Sequence, residues 1–137
     1  MKVVGKYCKR FPVAIRRRCR EVTSNYVSDE EFVNYVFFNS DNVAIGGVRI
    51  KCDSFKLVKD KPLFAIYIDS FEVCDIERGK GYGTAMYRWI EKKLPIYRIE
   101  LAHRTFDIDD KRSYNFWRKM GFHKTNTWNN LMVKRIV

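Results

Sequence analysis

The chain has 137 residues, a length expected for a single domain. Hydrophobic residues make up 46% and aromatic residues 15%, enough to build one core, and 31% charged residues beside that exclude a wholly disordered chain. The net charge is +11, and no apolar run approaches the ~18 residues of a membrane span.

The start, "MKVVGKYCKRF", carries a charge in nearly every third place and shows no signal-peptide core, so a cytoplasmic protein without a membrane segment is expected. "MKVVGKY" reads as a short first strand. Pro12 suits the first turn of a helix, and in "PVAIRRRCREV" Ile15, Cys19 and Val22 form one apolar stripe while the arginines project elsewhere. Residues 1–20 hold Lys2, Lys6, Lys9, Arg10, Arg16, Arg17, Arg18 and Arg20 with no acid among them, which is +8 of the +11. Such a block suits an anionic partner (nucleic acid, an acidic protein, a phosphorylated ligand) or is simply a solvated face.

After the polar break "SDEEF", the stretch "FVNYVFFNSDNVAIGGVRIKC" predicts a hairpin of two strands around Asn39–Asn42. "DSFKLVKDKP" reads as a charged loop. "LFAIYIDSFEV" is apolar on both faces, as a central strand requires, and strict alternation would place Tyr67, Asp69, Phe71 and Val73 on one face. "GYGTAMYRWIEKKL" has Ala85, Met86, Trp89, Ile90 and Leu94 at helical spacing, and Pro95 limits that helix. "IYRIELAHR" predicts another strand. "DIDDKRSYNFWRKMGF" predicts a helix with acids in its first turn and a stop at Gly121. "FHKTNTW" and "NLMVKRIV" close the chain as strands. The unit from Leu63 to Arg104 is then a parallel β-α-β crossover.

Cys8, Cys19, Cys52 and Cys74 are scattered, without a CxxC pair or a Cys/His cluster, so no metal site is expected and reduced thiols are the default. Cys74 stands close to a glycine turn and is either a reactive thiol or, more commonly for this residue type, a buried one.

That turn, "ERGKGYGT", joins a strand to a helix, where free backbone N–H groups and the positive end of the dipole converge into an anion site. GxxxxGK[ST] is absent and the spacing of GxGxxG fails, which disfavours a nucleotide triphosphatase and a nicotinamide enzyme. What fits is Arg-x-x-Gly-x-Gly, at Arg78, Gly81 and Gly83. Together with "FEVCD" before it and "DKRSYNFWRKMGF" after it, the chain resembles the GNAT superfamily of acyl-CoA-dependent N-acyltransferases over about residues 63–122.

The resemblance implies one GNAT domain over 1–137, of mixed α/β class, with a twisted sheet of six to seven strands flanked by about four helices. It implies acetyl-CoA as co-substrate, with the pyrophosphate cradled by Arg78, Gly79, Lys80, Gly81, Tyr82, Gly83 and Thr84. The pantetheine arm would pair with Phe71, Glu72 and Val73, and the N–H of Val73 or its neighbour would polarise the thioester carbonyl. The reaction is attack by a neutral amine, whose deprotonation at pH 7 costs roughly 4–5 kcal/mol. A base, or water leading to one, must help.

The family's usual glutamate would fall at Tyr67, so Asp69 becomes the first substitute, with His103 and Glu100 next; Asp69 reads equally well as a structural partner of a basic group. Trp117 stands where the family's thiolate-protonating tyrosine falls, and an indole cannot give up its proton. Either Tyr114, three residues earlier on that helix, reaches the sulfur, or the thiolate leaves unaided and takes a proton from water. Asp110 replaces the customary asparagine near the cofactor. Three classes of function follow: an N-acetyltransferase acting on an amine of a protein or aminoacyl-RNA acceptor held by Arg16, Arg17, Arg18 and Arg20; a catalytically weak relative that binds nucleic acid or protein; or a purely structural small α/β domain, which the two aligned motifs disfavour. The oligomeric state is read as monomer or homodimer.

Overall fold

The computed structural model describes residues 1–11, 32–102, 108–125 and 130–137, with backbone only at 108–110. The helix expected from Pro12, with Arg16, Arg17, Arg18 and Arg20, lies outside the described residues, as does His103.

Seven strands form one mixed sheet: β1 (Val4–Cys8), β2 (Phe32–Phe38), β3 (Ala44–Val58), β4 (Lys61–Val73), β5 (Ile96–Ala102), β6 (His123–Lys124) and β7 (Leu131–Arg135). Their order across the sheet is β1-β2-β3-β4-β5-β7-β6. Neighbours are antiparallel except β4 and β5, which run parallel as the crossover demands. Two α-helices stand among the described residues, α1 (Tyr82–Lys93) between β4 and β5 and α2 (Ile108–Lys119) after β5, beside a 3-10 turn at Asp75–Glu77.

The β2–β3 turn is closed by Asn39, whose Oδ1 accepts from the backbone N–H of Asp41 and of Val43, each at 3.0 Å. The next hairpin corrects the sequence reading. Residues 53–62, expected as a charged loop, continue β3 and open β4 around a tight turn at Lys59 and Asp60. Both turn residues have positive φ (50° and 66°), the geometry of a two-residue hairpin turn whose twist matches the strands. Charge misled here, because on a two-stranded ribbon in water lysines cost nothing while the backbone pairs.

The core lies between the sheet and the helices. Ile66 and Ile68 of β4 and Ile99 and Leu101 of β5 pack against Met86, Tyr87 and Ile90 of α1 and Trp117 of α2. Full burial of each such aliphatic side chain contributes about 1.5–3 kcal/mol. α1 ends before Pro95 with Lys92 and Lys93 in its last turn, as the dipole favours. α2 ends at Gly121 (φ 99°), where the N–H of Phe122 returns to the carbonyl of Trp117 at 3.0 Å. Lys134 of β7 ties the two helices, donating to Met120 O at 2.7 Å and pairing with Glu91. No helix among the described residues is long and apolar enough to cross a membrane.

Candidate active site

The site is made by two irregularities of β4. The first is a bulge. Ile50 pairs with Ile68 but Arg49 pairs with Ser70, so Asp69 is a surplus residue with no partner opposite. One extra residue reverses the parity of everything beyond it. Phe71 therefore shares the helix side with Ile66 and Ile68, and its ring meets those of Phe116 at 5.7 Å and Trp117 at 5.0 Å. The expected common face of Tyr67, Asp69, Phe71 and Val73 does not exist: Tyr67 lies on the other side of the sheet from Phe71, and the bulge is the cause.

The second irregularity is a splay. β4 pairs with β5 from Phe64 to Ile68 and no further, so residues 69–73 pair with β3 alone. The N–H of Cys74 donates to Ile45 O on β3 at 2.8 Å. By the alternation of a strand, the N–H groups of Val73 and Phe71 then face the open side. The carbonyl of Val73 faces that side too and accepts from Arg78 Nε at 3.2 Å. A strand edge with two outward amides borders the gap.

The glycine turn closes one end of it. Gly79 and Gly81 have φ of 80° and 87°, a region that favours glycine, and Gly81 is the residue that caps α1. A Cβ on Gly79 would meet nothing within 4 Å, so the space over it is open. On Gly83 a Cβ would stand 3.4 Å from the Phe116 ring. Glycine at 79, 81 and 83 keeps those positions from adding side chains in front of the N-terminal amides of α1.

These elements surround a cavity of about 550 Å³, bordered by Phe71–Val73 of β4, by Glu77–Gly79 and Gly81–Thr84 of the turn and α1, and by Arg112, Ser113, Phe116 and Trp117 on one face of α2. Of the residues singled out in the sequence, Phe71, Glu72, Val73, Arg78, Gly79, Gly81, Tyr82, Gly83, Thr84 and Trp117 come together here. Lys80 does not border the cavity; it pairs with Glu77 at 2.9 Å and offsets a carboxylate that does. Arg78 is held by Asp75 at 3.1 Å and Glu72 at 3.6 Å, so it fixes the strand end as well as adding charge. Asn39 Nδ2 donates to the Tyr82 hydroxyl at 3.3 Å, tying the β2–β3 turn to the loop. Asp110 belongs to the first turn of α2.

Trp117 is 5% exposed, enclosed by Phe71, Tyr87, Phe116 and Phe122 with ring centroids 4.9–5.7 Å away. Tyr114 packs half-buried against the core outside the cavity's border. Arg112, Ser113 and Phe116 were not singled out in the sequence, although Phe116 adjoins Trp117, Ser113 stands one helical turn before Trp117 and Arg112 one turn before Phe116. That spacing was the available signal.

Asp69 lies a few residues up the strand from the cavity, 3.8 Å from Nε of the buried Arg49, whose guanidinium stacks over Phe32 at 4.2 Å. Tyr67 is opposite Glu100 on β5, and burial first, then the Asp69 charge, raise its phenol above the ordinary tyrosine range. Cys74 is fully buried in a small cluster with Phe11 and Val36, its thiol directed at Ala44 O, so the reactive reading gives way to the buried one. Among the described residues no group of three His, Cys, Asp or Glu is placed to hold a metal ion.

The comparisons with known proteins point the same way. The model of the acetyltransferase (GNAT) family matches residues 3–122. No curated protein matches the sequence. Among solved structures, a putative GNAT-family acetyltransferase from Bacteroides thetaiotaomicron is 17% identical with a TM-score of 0.64, over 88% of this chain and 79% of that one. AtaT complexed with acetyl-methionyl-tRNAfMet is 8% identical with a TM-score of 0.67, over 98% and 95%. A KacTA–DNA complex is 11% identical with a TM-score of 0.67, over 98% and 94%. Identities this low carry the fold alone, but the family match spans most of the chain: this protein belongs to the GNAT family of acetyltransferases.

Proposed function

We propose that this chain transfers an acetyl group from acetyl-CoA to a primary amine, and that the amine is carried by a macromolecule, an aminoacyl-RNA or a protein. The observation that carries the reading is the gap where β4 leaves β5, with the glycine-lined start of α1 at its end. The amides of residues 79–84 would hold the pyrophosphate, and Glu77 is offset by Lys80 so that it does not repel it. The pantetheine arm would lie along Phe71–Val73 as an added strand, and the outward N–H of Val73 would sit against the thioester oxygen where negative charge develops. Phe116 and Trp117 supply the apolar wall.

In the transfer the amine nitrogen bonds to the carbonyl carbon, the C–S bond breaks, and the departing sulfur takes up a proton. The amine must first lose one. Asp69, pinned by Arg49, is the candidate acceptor on β4 through a water, with Glu100 on β5 beside Tyr67 the next. The macromolecular acceptor is favoured by the net charge of +11 and agrees with the tRNA and DNA bound by the two structural neighbours named above.

The buried Trp117 supports a second reading, a weak catalyst that keeps the fold for binding, because no phenol stands at that position. Acetyl-CoA titration followed by melting temperature, then thiol release with aminoacyl-RNA and short basic peptides, separates the two. A stabilised protein that releases no thiol with either acceptor overturns the enzymatic reading, and an unchanged melting temperature at millimolar acetyl-CoA overturns both.

A further inference from the structure

At the end of β4 opposite the glycine turn, the sheet narrows to a two-stranded ribbon. β2 reaches along β3 only to Lys51, and β5 reaches β4 only to Phe64, so residues 52–63 have no neighbouring strand among the described residues. The register sorts its side chains. Phe55, Leu57, Pro62 and Phe64 share the helix side; Lys56 and Lys61 share the other, with Lys59 at the turn. Phe55 and Leu57 are each 66% exposed.

The basic side continues across the sheet. Arg98 of β5 pairs in register with Arg135 of β7 on the same face as Lys56. Lys56 Nζ stands 4.3 Å over the ring of Tyr97, whose hydroxyl meets Ser54 Oγ at 3.3 Å. Arg98 leans on the same ring and reaches Glu100 at 3.3 Å. Lys56, Lys59, Lys61 and Arg135 are in no ion pair among the described residues.

We propose that the Lys56 and Lys61 side of this ribbon, with the adjoining face of β5 and β7, docks the phosphate backbone of a nucleic acid, the lysines and Arg135 taking the phosphates. This rests on the RNA arm of the proposed function for its biological meaning, but the binding itself does not require transfer. Lysines on an exposed strand edge also guard against aggregation, yet that role explains neither a lysine held over a tyrosine ring nor the continuation of the basic face to Arg98 and Arg135 of β5 and β7. A second copy of the chain fits poorly on this face, because a symmetric contact would set the same cations against one another. A row of cations along one face, in no ion pair among the described residues, matches a phosphate backbone running across it.

The test is fluorescence anisotropy of the full chain with a labelled 20-nucleotide single-stranded RNA across a salt series. The triple variant Lys56→Ala, Lys61→Ala, Arg135→Ala is expected to bind at least ~10-fold more weakly at low salt, and its log–log salt slope to flatten by about 2, close to 0.7 for each phosphate no longer neutralised. Phe55→Ala, on the opposite side of the ribbon, is expected to bind as wild type does. The melting shift with acetyl-CoA should match wild type in both variants, which guards against misfolding. Equal RNA affinity in wild type and triple variant overturns the inference. So does a wild type that binds no RNA at 50 mM salt but whose sedimentation as a dimer is lost with Phe55→Ala. If the RNA is acetylated with the same KM by wild type and triple variant, the docking surface fails while the acceptor reading stands. If RNA binds through the ribbon but its aminoacyl form is never acetylated, the acceptor reading fails and this one stands.

Discussion

In the proposed arrangement, Trp117→Tyr places a phenol at the cavity border beside the departing thiolate of CoA. Trp117 is 5% exposed and touches four rings, so the change is felt in the core. Removing a buried tryptophan to alanine costs about 3–5 kcal/mol. Tyrosine retains one six-membered ring and borders the cavity, where water can reach the new hydroxyl, so about 1–2 kcal/mol is expected. For a chain of this length that lowers Tm by about 3–10 °C, measurable by calorimetry. Against this loss stands a group that can donate a proton, for which general-acid assistance of at least tenfold is expected. The assay is single-turnover thiol release at saturating acetyl-CoA, which isolates the chemical step from product release. The expected result is a rise in that rate of tenfold or more with acetyl-CoA affinity within about threefold of wild type. If the rate is unchanged in a folded variant that still binds acetyl-CoA, position 117 is not beside the departing sulfur, and the placement of the pantetheine arm along Phe71–Val73 is wrong.

Arg78→Gln should weaken acetyl-CoA binding by about tenfold in calorimetric titration while costing no more than about 1 kcal/mol of stability, because its ion pairs stand at a side chain that is 58% exposed. Gly81→Ala puts a Cβ into a left-handed residue and is expected to cost about 1–2 kcal/mol in denaturant unfolding, with a parallel loss of acetyl-CoA affinity; an unchanged affinity would separate the loop from the pyrophosphate. Asp69→Asn should lower kcat by about 100-fold, leaving acetyl-CoA binding intact; an unchanged kcat would make the Arg49–Asp69 pair purely structural. Burial raises the Cys8 thiol to about 11, and burial also raises the Tyr67 phenol. Unfolded chains lose these protons first, so the stability they contribute is full below about pH 8.5, the ordinary thiol value, and is lost as pH rises through the folded-state value. A Tm series over that window should fall, and Cys8→Ala should make the fall shallower.

The strand–turn–helix at the glycine loop was legible because each of its parts has a local cause. Apolar residues on both faces of residues 63–73 demand a central strand, and glycines at 79 and 81 meet the two positive φ angles. The bulge was not legible. Nothing in "IYIDSFEV" distinguishes a strand of unbroken alternation from one with a surplus residue, since Ile68, Ser70 and Phe71 are tolerated on either face. The parity change at Asp69 is fixed by the partner, where Arg49 goes into a buried site over Phe32. The ribbon was missed for the opposite reason. Its turn, Lys59–Asp60, lacks the glycine or asparagine that usually marks positive φ, so the charges were all that could be read. Phe116, by contrast, was within reach, one residue from the Trp117 already singled out.

β4 runs 13 residues from the ribbon to the cavity, about 40 Å at the rise of a strand. The two features that the sequence pattern concealed stand at its ends, the basic ribbon at one and the splay with its bulge at the other. A small amine in the gap would touch nothing beyond the bulge, so its KM cannot depend on Lys56, Lys61 or Arg135 except through the fold. An extended polyanion bearing an amine can reach both, and for it the same three side chains must enter KM while leaving kcat alone. The pair of measurements, a short amine against a long anionic acceptor on one triple variant, distinguishes an enzyme that reads only the reacting group from one that reads the molecule carrying it. Net charge alone gives no such distinction, because a cation anywhere on the surface raises the affinity for every anion. Only position along β4 does.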